Sequence, residues 1–193
     1  MFLLGSALFN LVMYASGALG SLWGQVLRRT APERLLPLAR GWSRLVFAAL
    51  RAFCGIRIET KGLESLPPGP VLIAAQHQSA LDTLIWLKLV EKPAYVLKAE
   101  LLKLPLFGSL VLPAGQIAID RAGGGAALRR LVADVQKAAA EGRQIVIFPE
   151  GTRVAPDARA VASGSGKRAG FTSTRSPSAM FFIARATAPM LPG

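Results

Sequence analysis

Residues 1–27, MFLLGSALFNLVMYASGALGSLWGQVL, contain no charged side chain, and the first one arrives at Arg28. Few structures suit such a stretch. In an apolar setting every backbone amide needs an internal partner, which a helix supplies, and about 20 apolar residues suffice to cross a bilayer. A cleaved signal peptide is the rival reading, but it normally carries positive charge ahead of its apolar core. Here Arg28 and Arg29 follow the core, so the downstream chain is expected on the cytoplasmic side, at a bacterial inner membrane. Asn10, Gln25 and several glycines weaken the span, which leaves a re-entrant or interfacial placement open.

Charge points the same way. The chain has 193 residues, 52% of them hydrophobic, and a formal charge of +12. A greasy and basic chain fits an anionic membrane surface or anionic ligands; nucleic acid is the competing partner for that charge. The single cysteine, Cys54, permits no internal disulfide and reads as a small buried hydrophobe. Without a Cys/His cluster no zinc site is expected, and no cofactor is implied.

After Pro37, LARGWSRLVFAALRAF places Arg40, Arg44 and Arg51 on one helical stripe and Trp42, Val46, Ala49 and Phe53 on the opposite one. That is a basic amphipathic helix, suited either to a membrane interface or to packing on a domain core. From residue 56 the pattern changes. IRIET, VLIAA, AYVLK (94–98), QIAID (116–120) and QIVIF (144–148) read as strands. Residues 80–90 and AALRRLVADVQKAAAEG read as helices, the latter ended by Gly142. The expected fold is α/β, a largely parallel or mixed sheet flanked by helices and preceded by a membrane-associated helical segment. The expected organisation is a helical segment over 1–54, an α/β domain over 55–155 and a tail over 156–193.

The only histidine, His77, lies in AAQHQSALDTLIW, between a buried strand and a new helix. Open α/β sheets bind ligands at that end of their strands. Asp82 follows five residues later. The two meet only if His77 is in the loop and Asp82 in the first helical turn, since five helical residues turn through about 500°. Asp82 has a structural explanation too: SALD is a capping-box pattern with Ser79 as cap.

HQSALD resembles the H-x-x-x-x-D signature of the glycerolipid acyltransferases, the 1-acylglycerol-3-phosphate acyltransferase family. KAELLKLPLFG with GQIAIDR resembles the family's second block, and FPEGTR its third. The order and spacing agree, over about residues 1–155. The resemblance implies acyl transfer from a thioester, carried by acyl-CoA or acyl carrier protein, to the free hydroxyl of a lysophospholipid, lysophosphatidic acid first. It implies His77 as general base and Asp82 as the carboxylate orienting it, with no acyl-enzyme. Arg153, Arg121 and Lys98 match positions associated with the acceptor phosphate. Glu150, Gly151 and Thr152 shape the loop before Arg153. Asp120–Arg121 as a local charge pair and Lys98 as a solvated side chain remain open, and LLKLPLFG reads as an acyl-chain route or as plain core. The implied partners are the acyl donor, the lysolipid and membrane lipids, with no nucleic acid; the alternative readings are an inactive truncated acyltransferase relic or a basic membrane-tethered binding module.

Beyond about residue 155 the family's proline-containing fourth block is not recognisable. Residues 156–193 show no sustained period, and they read as a tail that is non-native through a shifted frame or truncation, or else disordered. Strand 144–148 would then leave an uncovered sheet edge.

Overall fold

The computed structural model describes residues 2–77, 79–149, 172–176 and 179–185. The chain divides into two compact units, one of Met1–Lys61 with Glu100–Gly115, the other of Gly62–Ala99 with Gln116–Gly193. This differs from the boundary expected at 54–55: the helical unit recruits a segment from the middle of the chain.

In the helical unit, α1 (Phe2–Thr30) and α2 (Leu35–Cys54) are joined by a short turn at Pro32–Arg34. Pro37 sits in the first turn of α2, where its missing N–H breaks no helical bond. The helices pack antiparallel. The Trp42 indole donates to the Ser16 hydroxyl at 3.1 Å, and the Phe53 carbonyl lies against Gly5 at the far end. Val46 and Ala49 of α2 are buried and Arg44 and Arg51 exposed, as the amphipathic pattern requires. Phe53 departs from that pattern and is exposed at the helix end. Cys54 is half-buried. The recruited segment forms a 3-10 turn at Ala99–Lys103 and a short helix, α4 (Gly108–Val111).

The second unit is built on a six-stranded sheet in the order β3-β2-β4-β1-β6-β5. The strands are β1 (Val71–Ala75), β2 (Pro93–Lys98), β3 (Ile117–Ile119), β4 (Gln144–Ile147), β5 (Thr172–Ser176) and β6 (Ala179–Arg185). β1, β2, β3 and β4 run parallel; β6 is antiparallel to β1 and β5 to β6. Helix α3 (Leu81–Leu89) covers one face. There Trp86 and Val90 pack on Val71, Ile73, Ala75 and Val146. Helix α5 (Gly124–Ala140) covers the other, with Ala138, Leu131 and Val135 on Ala94, Ile117 and Ile145. A sheet covered on both faces explains why its central strands read as continuous apolar runs. Gly142 follows α5 at φ 73°, a backbone state that glycine adopts without strain.

Three expectations are corrected. IRIET alternates but is not a strand: residues 55–61 pair with no strand among the described residues. β4 is not an edge: β1 and β2 flank it. The tail is not without regular structure, since β5 and β6 lie within it. MFFIA (180–184) is apolar at every position, so it shows no alternation for a period search to find.

Candidate active site

The four parallel strands end at one edge of the sheet, and the candidate residues collect there. His77 lies two residues beyond β1, Phe148 directly beyond β4, Lys98 at the last position of β2, and Arg121 two residues beyond β3. Adjacent strands are about 4.8 Å apart, so Lys98 sits roughly 10 Å and Arg121 roughly 15 Å along the edge from the His77 strand.

His77 Nδ1 faces Asp82 Oδ2 at 3.4 Å, with the two side chains 18% and 30% exposed. His77 is in the loop and Asp82 in the first turn of α3, the arrangement the five-residue spacing requires. The same Asp82 oxygen accepts the Ser79 backbone N–H at 2.5 Å, and the Ser79 hydroxyl accepts the Leu81 N–H at 3.1 Å. This is similar to a capping box, except that the hydroxyl takes the Leu81 amide while the Asp82 N–H donates to the Ser79 carbonyl at 3.2 Å. The capping and pairing readings of Asp82 are therefore compatible: the bond that caps α3 also fixes the carboxylate that faces the imidazole.

Phe148 was not among the expected site residues. Its ring packs on the imidazole at 4.6 Å between centroids, tilted 33°. The signal was its place as the first residue of FPEGTR, at the end of a strand beside β1. It restricts the ring plane from one side while Asp82 faces Nδ1, so Nε2 is the ring nitrogen turned away from Asp82.

Lys98 and Arg121 are exposed at the same edge. The Asp120 carboxylate accepts the Ala122 N–H at 2.9 Å and so caps the turn that carries Arg121. The first turn of α5, which follows, contains no acidic residue. Glu150, Gly151, Thr152 and Arg153 lie outside the described residues. Leu101, Leu104, Leu106 and Phe107 of the second block are exposed, which excludes their reading as plain core.

A family model described as acyltransferase matches residues 57–192. The chain belongs to the acyltransferase family. The match continues past residue 155, where the likeness visible in the sequence motifs stops. Among similar proteins, a 1-acyl-sn-glycerol-3-phosphate acyltransferase of Pseudomonas aeruginosa is 35% identical over 156 residues, 77% of this chain and 59% of the relative. The human 1-acyl-sn-glycerol-3-phosphate acyltransferase alpha is 32% identical over 112 residues, 57% of this chain and 40% of the relative. The chain thus spans 59% or less of the length of these relatives. The fold is similar to that of the 1-acyl-sn-glycerophosphate (LPA) acyltransferase PlsC from Thermotoga maritima, with a TM-score of 0.59 at 24% identity, covering 81% of this chain and 65% of that one.

Proposed function

We propose that this acyltransferase moves a fatty acyl group from a thioester, acyl-CoA or acyl carrier protein, to the free hydroxyl of lysophosphatidic acid, forming phosphatidic acid. The observation that carries the reading is the His77–Asp82 pair at the carboxyl end of β1, with Lys98 and Arg121 on the same edge. Nε2 of His77 takes the hydroxyl proton as the alcohol oxygen attacks the thioester carbonyl carbon. Collapse of the tetrahedral intermediate breaks the C–S bond, and the thiolate leaves with the proton held by the imidazole. Asp82 fixes the tautomer and stabilises the imidazolium. Lys98, Arg121 and Arg153 receive the acceptor phosphate through charge-assisted bonds. The nearby lysophospholipid acyltransferase likeness (human LPCAT4, 36% identical over 115 residues, 58% of this chain and 21% of that protein) makes other lysolipids the natural comparison acceptors.

The enzyme works at a membrane, on the cytoplasmic face of a bacterial inner membrane. α1 is long and apolar enough to cross a bilayer by length and composition. Its antiparallel partner α2 argues for a different placement. A spanning α1 would draw Arg44, close to the Trp42–Ser16 contact at the middle of α1, into hydrocarbon at about 2.5–3.5 kcal/mol near the bilayer centre, with Arg51 near the far end beside Phe53 and Gly5. A hairpin lying in the interface keeps those arginines at the headgroups.

The test is acyl transfer to lysophosphatidic acid by purified variants with melting temperatures recorded in parallel. His77→Ala is expected to lose on the order of 10²–10⁴-fold in rate without unfolding. Asp82→Asn is expected to lose at least about 10²-fold. Retained turnover in His77→Ala would remove the mechanism. An Asp82→Asn protein with a lower melting temperature and normal turnover would reduce Asp82 to a helix cap.

A further inference from the structure

The recruited segment, residues 100–115, has an unusual surface for a loop between strands. Leu104 is 47% and Phe107 45% exposed, and Leu101, Leu106 and Leu112 are exposed as well. Leu106 has φ 65°, and the Phe107 N–H donates to the Pro105 carbonyl at 2.7 Å. That is a γ-turn of the rare, strained kind, centred on a leucine. A side chain from α1 closes it: Gln25 Nε2 donates to the Leu106 carbonyl at 2.5 Å, and the Ser109 hydroxyl donates to Gln25 Oε1 at 3.1 Å. One helical turn of α1 also lets the segment approach closely, with Leu110 against Gly24.

Much of the segment's backbone is hydrogen-bonded within the segment while its leucines are exposed. The carbonyls of Leu101, Leu104, Pro105, Phe107 and Leu110 accept amides from within the segment, and that of Leu106 takes Gln25. Water does not require such closure, whereas hydrocarbon does. On α1 the nine exposed large hydrophobics between Leu3 and Val26 cover a sector about 200° wide at 100° per residue, and the direction of Gln25 lies within it. The segment therefore adjoins this apolar sector on the helix read as membrane-bound. Lys103 on the segment and Arg28 and Arg29 just past Gln25 mark where anionic headgroups would lie.

We infer that Leu101–Leu112 is a second membrane-inserting element, set at bilayer depth by the Gln25 clamp on the Leu106 turn. The occupant of this surface is the anionic lipid bilayer. Gln25 is a positioning residue: together with the Ser109 hydroxyl at 3.4 Å, it satisfies the carbonyl of the strained Leu106. The inference rests on the membrane reading above, and the experiment separates the two.

Single cysteines at Leu104, Phe107, Leu22 and Val132, in a Cys54→Ser background, are spin-labelled on vesicles of phosphatidylethanolamine and phosphatidylglycerol. Val132 is exposed on α5 and serves as the aqueous control. Collision with oxygen reports lipid depth, and collision with a nickel chelate reports water. Labels at 104, 107 and 22 are expected to favour oxygen and the label at 132 nickel. Labels at 104 and 107 that favour nickel while 22 favours oxygen overturn the inference alone; nickel at 22 as well overturns the membrane reading with it. Shielding of 104 and 107 from both reagents would mean contact with a second copy and also overturns the inference. Leu104→Ser with Phe107→Ser is expected to weaken vesicle partitioning on the order of ten-fold, and unchanged partitioning counts against insertion. In Gln25→Leu the label at 104 is expected to become nickel-accessible while that at 22 stays in lipid; a label at 104 that keeps its depth removes the clamp.

Discussion

The two units handle their apolar residues in opposite ways. In the α/β unit, Val71, Ile73, Ile145 and Val146 are completely buried between two helical layers. In the helical unit, Leu3, Leu4, Leu11 and Leu19 are each more than half exposed, although they are as apolar as the sheet residues. A monomeric soluble protein seldom shows a continuous apolar surface of this kind. One unit finds its apolar partner within itself; the other leaves its apolar face to something outside the chain. Burial per residue is thus a poor guide to what holds the helical unit, and a good one for the sheet.

The sharpest way to break this contrast is to remove residues 172–193. The sheet would lose β6 and β5 together, leaving the whole of β1, five residues paired with β6, as an open edge beside the candidate site. The detergent-solubilised truncated chain is expected to elute from size exclusion largely as aggregate. A monodisperse truncated chain would show that the α/β unit does not need its antiparallel strands.

Smaller and more discriminating is a matched pair of truncations. Ile145→Ala is expected to destabilise the α/β unit by about 2–5 kcal/mol, through lost burial and the cavity left behind. Leu19→Ala on α1 is expected to change stability by less than about 0.5 kcal/mol in detergent. Urea midpoints of the two proteins check this, and equal losses would mean that α1 is packed like a core helix.

The smallest effect concerns alkaline pH. Burial pushes the Tyr95 hydroxyl well above the ordinary phenol range. Above about pH 10 the unfolded chain releases this proton and the folded one keeps it, so the contribution of Tyr95 to stability falls as pH rises through and beyond 10. Tyr95→Phe is expected to flatten that decline in urea midpoints measured from pH 9 to 11 and to change little at pH 7. An unaltered slope would place the Tyr95 hydroxyl in contact with water.

Local features were the legible ones. The five-residue spacing alone leaves the His77–Asp82 pairing open, and the resemblance of HQSALD to the family signature makes it legible. β1, β2 and β4 could be read because a strand covered on both faces is an uninterrupted apolar run. IRIET misled because alternation records only a preference, and a strand also needs a neighbour. β6 escaped because MFFIA has no period, and Phe148 because its role depends on β4 lying beside β1. Least legible was the attachment of residues 100–115 to α1. LLKLPLFG shows its apolarity in the sequence, but nothing local in it names Gln25 as the residue that holds Leu106.

That attachment has a consequence for how the chain is made. Gln25 and Leu106 are 81 residues apart and the hairpin ends at Cys54, so at translation rates of about 5–20 residues per second the finished hairpin emerges roughly 3–10 s before its third member. During that interval the hairpin is alone with its exposed leucines, and β1, α3 and β2 emerge before the segment that completes the helical unit. A nascent chain whose first helices reach a bilayer early would spend this interval sheltered; one synthesised far from a membrane would spend it exposed to aggregation. The order of elements along the gene therefore favours targeting that begins while the ribosome is still reading the sheet.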